Sequence, residues 1–234
     1  MIGADWRDYT DPNQILNFLH RSAWASRLFV WLGSRKAAAR QRKYRLCICA
    51  CCRTKQANLS ESAVEVAERF ADGLATKREL HSARKKLTAA AYGLTGTESW
   101  WQAFQKELSA STWEIDPWLL TAASAHELAI TDEILRGAME MVSGPDIRCA
   151  LVRDLFGNPL EPVSLAPSWL TWQGGLIASM ARQIYESRNF TDMPILADAL
   201  EEAGCTNADI LNHCRQPGEH VRGCWVIDLL LGKE

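Results

Sequence analysis

Five residues near the C-terminus, Cys205, His213, Cys214, His220 and Cys224, are of the types that hold zinc, because thiolate and imidazole are its preferred donors. A helix is predicted near 220–231, and on it His220 and Cys224, four apart, would share one face. Cys205, Cys214, His220 and Cys224 are the candidate ligand set, with zinc as the cofactor. Their spacings match none of the CxxC knuckles by which zinc sites are recognised, and cysteine is among the residue types most often fully buried. The competing expectation is therefore four core residues and no cofactor.

A second run, Cys47, Cys49, Cys51 and Cys52, falls within Leu46 to Cys52. On a helix Cys47 and Cys51 align on one face and Cys49 and Cys52 on another, so one helix cannot converge all four. Small apolar residues in a tightly packed helix account for the run, with a redox or mixed metal site as the alternative.

The third candidate is a basic stripe. Arg35, Lys36, Arg40, Arg42, Lys43, Arg45, Arg53 and Lys55 lie within 21 residues that hold no Asp or Glu. Such a stripe can neutralise phosphates, and its first six members are the candidate nucleic-acid contacts. No nucleic-acid module accompanies them, however, and a charge run is usually a solvated face. The ten tryptophans, among them Trp100, Trp101, Trp113, Trp118, Trp169 and Trp172, read as core and interface anchors. GxSxG, P-loop, GxGxxG and HExxH patterns are absent from the sequence, which leaves catalysis without positive support.

The elements that must position these residues are helical. Asn58 with Glu61 and Thr76 with Glu79 each place a capping residue three before a carboxylate, predicting helices over about 60–72 and 77–92. Leu80, Ala83, Leu87 and Ala91 give the second an apolar side, as on an amphipathic surface helix. Asp116 and Pro117 open an Ala-rich helical stretch running through Leu135. Pro145 opens another, stopped by Gly157, Asn158 and Pro159, with an ordered loop near 156–168 and a short extended piece near Val163 to Leu165. Helices follow near 174–187, 193–203, 207–215 and 220–231, with Pro194 opening the second, Gly204 ending it, and Thr206 capping the third. The expected fold is all-α, a compact irregular multi-helix domain over residues 1–234, with a basic N-terminal segment over 1–45.

Composition bounds the rest. With 47% apolar and 23% charged residues the chain has the usage of a folded protein, not of a disordered one. The net charge of −2 conceals 17 Lys/Arg against 8 Asp/Glu in residues 1–95, and 9 against 20 thereafter. The N-terminus lacks the pattern of a secretory signal, no apolar run reaches about 18 residues, and the cysteine usage suits reduced thiols. A cytoplasmic protein without a membrane partner is the expectation.

Two stretches carry a resemblance: Ala150-Leu-Val-Arg-Asp-Leu-Phe-Gly-Asn-Pro159, and the ending from Leu196 through Cys205, then His213 to Trp225 and on to Leu231-Gly-Lys. Together with Val64 to Leu80, they resemble an uncharacterised family abundant in planctomycete bacteria, over most of residues 44–234. The resemblance implies a bacterial cytoplasmic setting and assigns no residue a role; the basic insert around Ser34 to Arg42 departs from the family's acidic and apolar lead. Abundant aromatic anchors and the charge asymmetry make a non-catalytic helical protein-interaction or regulatory module, with another protein as partner, the leading reading. A structural zinc protein built on the C-terminal Cys and His residues comes second, and nucleic-acid binding through 35–55 third.

Overall fold

The computed structural model describes residues 9–25, 33–54, 61–92, 130, 132–140, 142, 144–158 and 163–233. Among them are eleven α-helices and no strand, so the fold is all-α. In chain order they are α1 (Pro12–Ala25), α2 (Gly33–Thr54), α3 (Glu61–Ala71), α4 (Lys77–Tyr92), α5 (Asp132–Glu140), α6 (Pro145–Phe156), α7 (Pro167–Thr171), α8 (Leu176–Ser187), α9 (Met193–Glu202), α10 (Ala208–Arg215) and α11 (Trp225–Leu231). The Asn58 cap, the Asp116–Pro117 opening with the Ala-rich stretch through Leu128, and Trp100, Trp101, Trp113 and Trp118 lie outside the described residues. Val163 to Leu165 is coil.

The chain divides into two compact units, residues 40–143 and residues 1–39 with 144–234. In the first, α2 buries Leu46, Ile48 and its four cysteines. Three of its basic residues are tied internally. Arg53 meets Glu68 of α3 through two bonds of 2.8 and 3.0 Å, the fork geometry that suits guanidinium to carboxylate. Arg42 pairs with Asp72 at 3.0 Å, and the Arg45 guanidinium lies 5.1 Å over the Phe70 ring. Gln41 both donates to and accepts from the Ile130 backbone, at 3.0 and 2.7 Å. The expected capping box forms at α4: Glu79 accepts from the Thr76 backbone at 2.8 Å while the Thr76 hydroxyl accepts from the Glu79 N–H at 3.2 Å.

In the second unit α8, α9, α10 and α11 enclose a core that includes Ile177, Ile184, Met193, Leu196, Ile210 and Val226. Pro145 opens α6 and Pro194 sits in the first turn of α9, as their missing N–H allows. After α9 the chain reverses at Gly204, whose φ of +87° puts it in the left-handed region and lets Cys205 N–H reach back to the Leu200 carbonyl at 2.9 Å.

The cap of α10 differs from the expectation by one residue. Asn207, not Thr206, accepts from the Asp209 and Ile210 N–H groups, at 2.9 and 3.0 Å. An amide oxygen on a residue with extended φ and ψ reaches two donors of the first turn, whereas Thr206 precedes the cap and is exposed. Asn207→Ala should therefore cost about 1 kcal/mol, lowering Tm by roughly 2–4 °C, and Thr206→Ala should be near neutral. Thermal denaturation of both variants checks the assignment, which fails if Thr206→Ala is the more damaging.

The last helix also differs. It begins at Trp225, not near 220, so His220 and Cys224 share no helical face. Residues 216–224 instead pass through turns in which Gly218 and Gly223 take φ of +153° and +96°. The Val221 N–H donates to an Asp154 carboxylate oxygen at 2.8 Å.

Candidate metal centre

Asp154 lies on the core side of α6, whose Leu151, Val152 and Leu155 are also buried. A carboxylate at such a position must find partners, since an unpaired buried charge is costly. It finds three. Oδ2 takes the Val221 N–H; Oδ1 lies 2.6 Å from His220 Nδ1 and 3.1 Å from His213 Nε2. His213 comes from α10, one turn past its buried neighbour Ile210. Cys224, at the N-terminal cap of α11, brings Sγ to 3.2 Å from His213 Nε2 and 3.9 Å from His220 Nδ1.

One ligand-type atom from each of Asp154, His213, His220 and Cys224 therefore lies within 4.8 Å of every other. All four residues are buried, from 0% exposed for Cys224 to 9% for His220. Metal bonds of about 2.0–2.1 Å to nitrogen or oxygen and about 2.3 Å to sulfur place tetrahedral donors roughly 3.3–3.6 Å apart. Three of the four contacts, at 3.1, 3.2 and 3.9 Å, fall close to that range. The 2.6 Å contact between His220 and Asp154 is a hydrogen bond and opens by about 0.7 Å to admit an ion.

Burial resists ionisation of Asp154, but hydrogen bonds from His213 and His220 and their positive charge outweigh it and hold the carboxyl at about 2. Burial and the Asp154 carboxylate push the Cys224 thiol well up, against the opposing pull of the Ile227 and Val226 N–H groups. A dication at this point would supply the charge that ionisation of Cys224 beside Asp154 needs. One carboxylate, one thiolate and two neutral imidazoles cancel a 2+ ion, so a filled site carries no net charge in the core.

The surroundings bear on the fit. His213 and His220 meet edge to face with centroids 4.9 Å apart, and the Trp225 ring backs His213 at 5.2 Å. The Gln216 amide reaches His213 Nδ1 at 3.3 Å. An imidazole that ligates through Nε2 carries its proton on Nδ1, and this amide, turned by 180°, presents its carbonyl oxygen there. His220 Nε2 is buried without a hydrogen-bond partner. That orphaned nitrogen costs about 1–3 kcal/mol, which a strong bond at Nδ1 offsets.

Of the ligands expected from sequence, His220 and Cys224 belong to this group; Cys205 and Cys214 are buried in the neighbouring core and do not. Cys214 lies near enough that burial, Asp154 and Cys205 push its thiol up to about 12. His213 is among the five zinc-type residues but outside the expected four-ligand set, and Asp154 is a ligand-type residue that the sequence patterns do not single out. The signal for Asp154 is its place among Leu151, Val152 and Leu155, an acid on the apolar side of its helix. All eight cysteines are buried thiols.

The basic candidates are placed differently. Arg42 pairs with Asp72, Lys43 and Arg45 are buried, Arg40 is exposed, and the side chains of Arg35 and Lys36 lie outside the described residues. No described helix is long and apolar enough to cross a membrane. No family model, curated protein or solved structure matches the chain, and the chemistry of the four-residue group is read from its own donors.

Proposed function

We propose that the protein is a structural zinc protein in which Asp154, His213, His220 and Cys224 hold the ion and tie α6, α10 and the 216–224 segment to the start of α11. The observation that carries this reading is the convergence of four buried donors of three chemical kinds within 4.8 Å. Four protein ligands complete a tetrahedron and leave no position open to a substrate, which is the arrangement of structural rather than catalytic zinc. The metal would supply folding energy to a unit in which Asp154 lies 59 to 70 residues before the other three donors in the chain. The unit so fixed would serve as a non-catalytic interaction module.

Elemental analysis of protein purified under reducing, chelator-free conditions tests the reading. About one zinc per chain is expected, with Cys224 unreactive towards thiol reagents until a chelator removes the ion. Protein that holds no zinc after refolding with the metal supplied would sink the proposal.

A further inference from the structure

The unit formed by residues 40–143 brings three sulfur atoms together. Cys47 and Cys51 stand one turn apart on the same face of α2. Met139 on α5 places Sδ 3.5 Å from Cys47 Sγ and 3.6 Å from Cys51 Sγ. The three residues are 0%, 0% and 2% exposed. Cys49, on the other face of α2, instead feels the charges of Glu68, Arg45 and Arg53. Cys47 and Cys51 thus share the Met139 sulfur as a neighbour, while Cys49 lies among charged groups.

We propose that Cys47, Cys51 and Met139 form a site for a soft monovalent cation, Cu(I). Thiolate and thioether are the donors that select Cu(I), whereas the harder Zn²⁺ draws little from a thioether and is almost always four-coordinate in structural sites. A three-coordinate ion with sulfur bonds of about 2.3 Å places its donors about 4.0 Å apart. The two Met139 contacts lengthen by a few tenths of an ångström to meet that, and the three rotatable bonds of Met139 allow it. Charge favours a monovalent ion as well. One thiol gives its proton to solvent on binding, and the resulting thiolate cancels Cu(I), with the second thiol and the thioether as neutral donors; a dication would leave charge in the core. No electron is transferred.

The test uses the full chain, supplied with zinc and kept anaerobic in a thiol-free reductant. Cu(I) is offered from its complex with bicinchoninate. The expected result is one Cu(I) withdrawn per chain, with X-ray absorption showing a first shell of sulfur alone. Met139→Leu conserves volume and should fold; it is expected to weaken copper binding tenfold or more. Copper left on the competitor, nitrogen or oxygen in the first shell, or unchanged affinity in Met139→Leu would each overturn the proposal. The X-ray result separates this site from the imidazole-bearing centre at Asp154, so its failure and that of the zinc reading are told apart.

Discussion

Cys224→Ser is expected to reduce bound zinc from about one per chain to a trace and to lower Tm by roughly 10 °C. The substitution swaps one atom, sulfur for oxygen, and leaves the fold of the 216–224 segment its backbone bonds, so the effect measures the donor. Loss of an outer partner of a zinc ligand costs about 10–100-fold in affinity, and loss of the thiolate itself should exceed that. An ion held a thousandfold below its free concentration contributes about 4 kcal/mol to stability, and each kilocalorie is worth roughly 2–4 °C in a chain of this size. The decisive comparison adds a chelator. Wild type with chelator should melt near the variant, while the variant should not respond. Cys205→Ala, whose sulfur lies outside the group, should keep its zinc. If the four residues were only a hydrogen-bonded cluster, chelator would leave wild type unmoved and Cys224→Ser would cost little.

Much of the helical frame was legible because it rests on local chemistry. Pro145 opens α6 where its missing N–H is harmless, Gly204 supplies the left-handed turn after α9, and Thr76 with Glu79 caps α4 with the two bonds its spacing predicts. Where tertiary contacts override local preference the reading slipped. The helix expected near 220–231 begins only at Trp225, after a segment that turns through Gly218 and Gly223 at positive φ and gives its Val221 N–H to the Asp154 carboxylate. That same carboxylate could not be paired with its ligand neighbours from sequence, since His220 is 66 residues away and no spacing rule spans that distance. Cys205 and Cys214 share the residue type of Cys224 but not its place, and residue type alone cannot tell a core thiol from a converging one. The sequence split of the α2 cysteines into two faces follows from helical periodicity; the third sulfur of Met139 does not, because it arrives from a separate helix.

Gly157→Ala should damage both stability and zinc binding, and the pairing of the two effects is the point of the variant. Gly157 ends α6 three residues after Asp154, with φ of +61° and ψ of −161°, a region essentially reserved for glycine. A Cβ built there would stand 3.0 Å from Cγ and Cδ2 of Trp225, the ring that backs His213. Backbone strain of about 1–3 kcal/mol and overpacking of a similar size should together lower Tm by roughly 6–12 °C. The indole must also move, and His213 with it, which should weaken zinc binding about tenfold, as loss of an outer partner does. Gly204→Ala is the matched control. Its φ of +87° imposes strain of its own, but no atom beyond its two chain neighbours lies within 4 Å of the added methyl. That variant should lose about 1 kcal/mol and hold zinc as wild type does. Competition with a chelator measures the affinities, and calorimetry the stabilities. Equal zinc affinity in the two variants would mean that Trp225 fills space beside the centre without holding His213 in place.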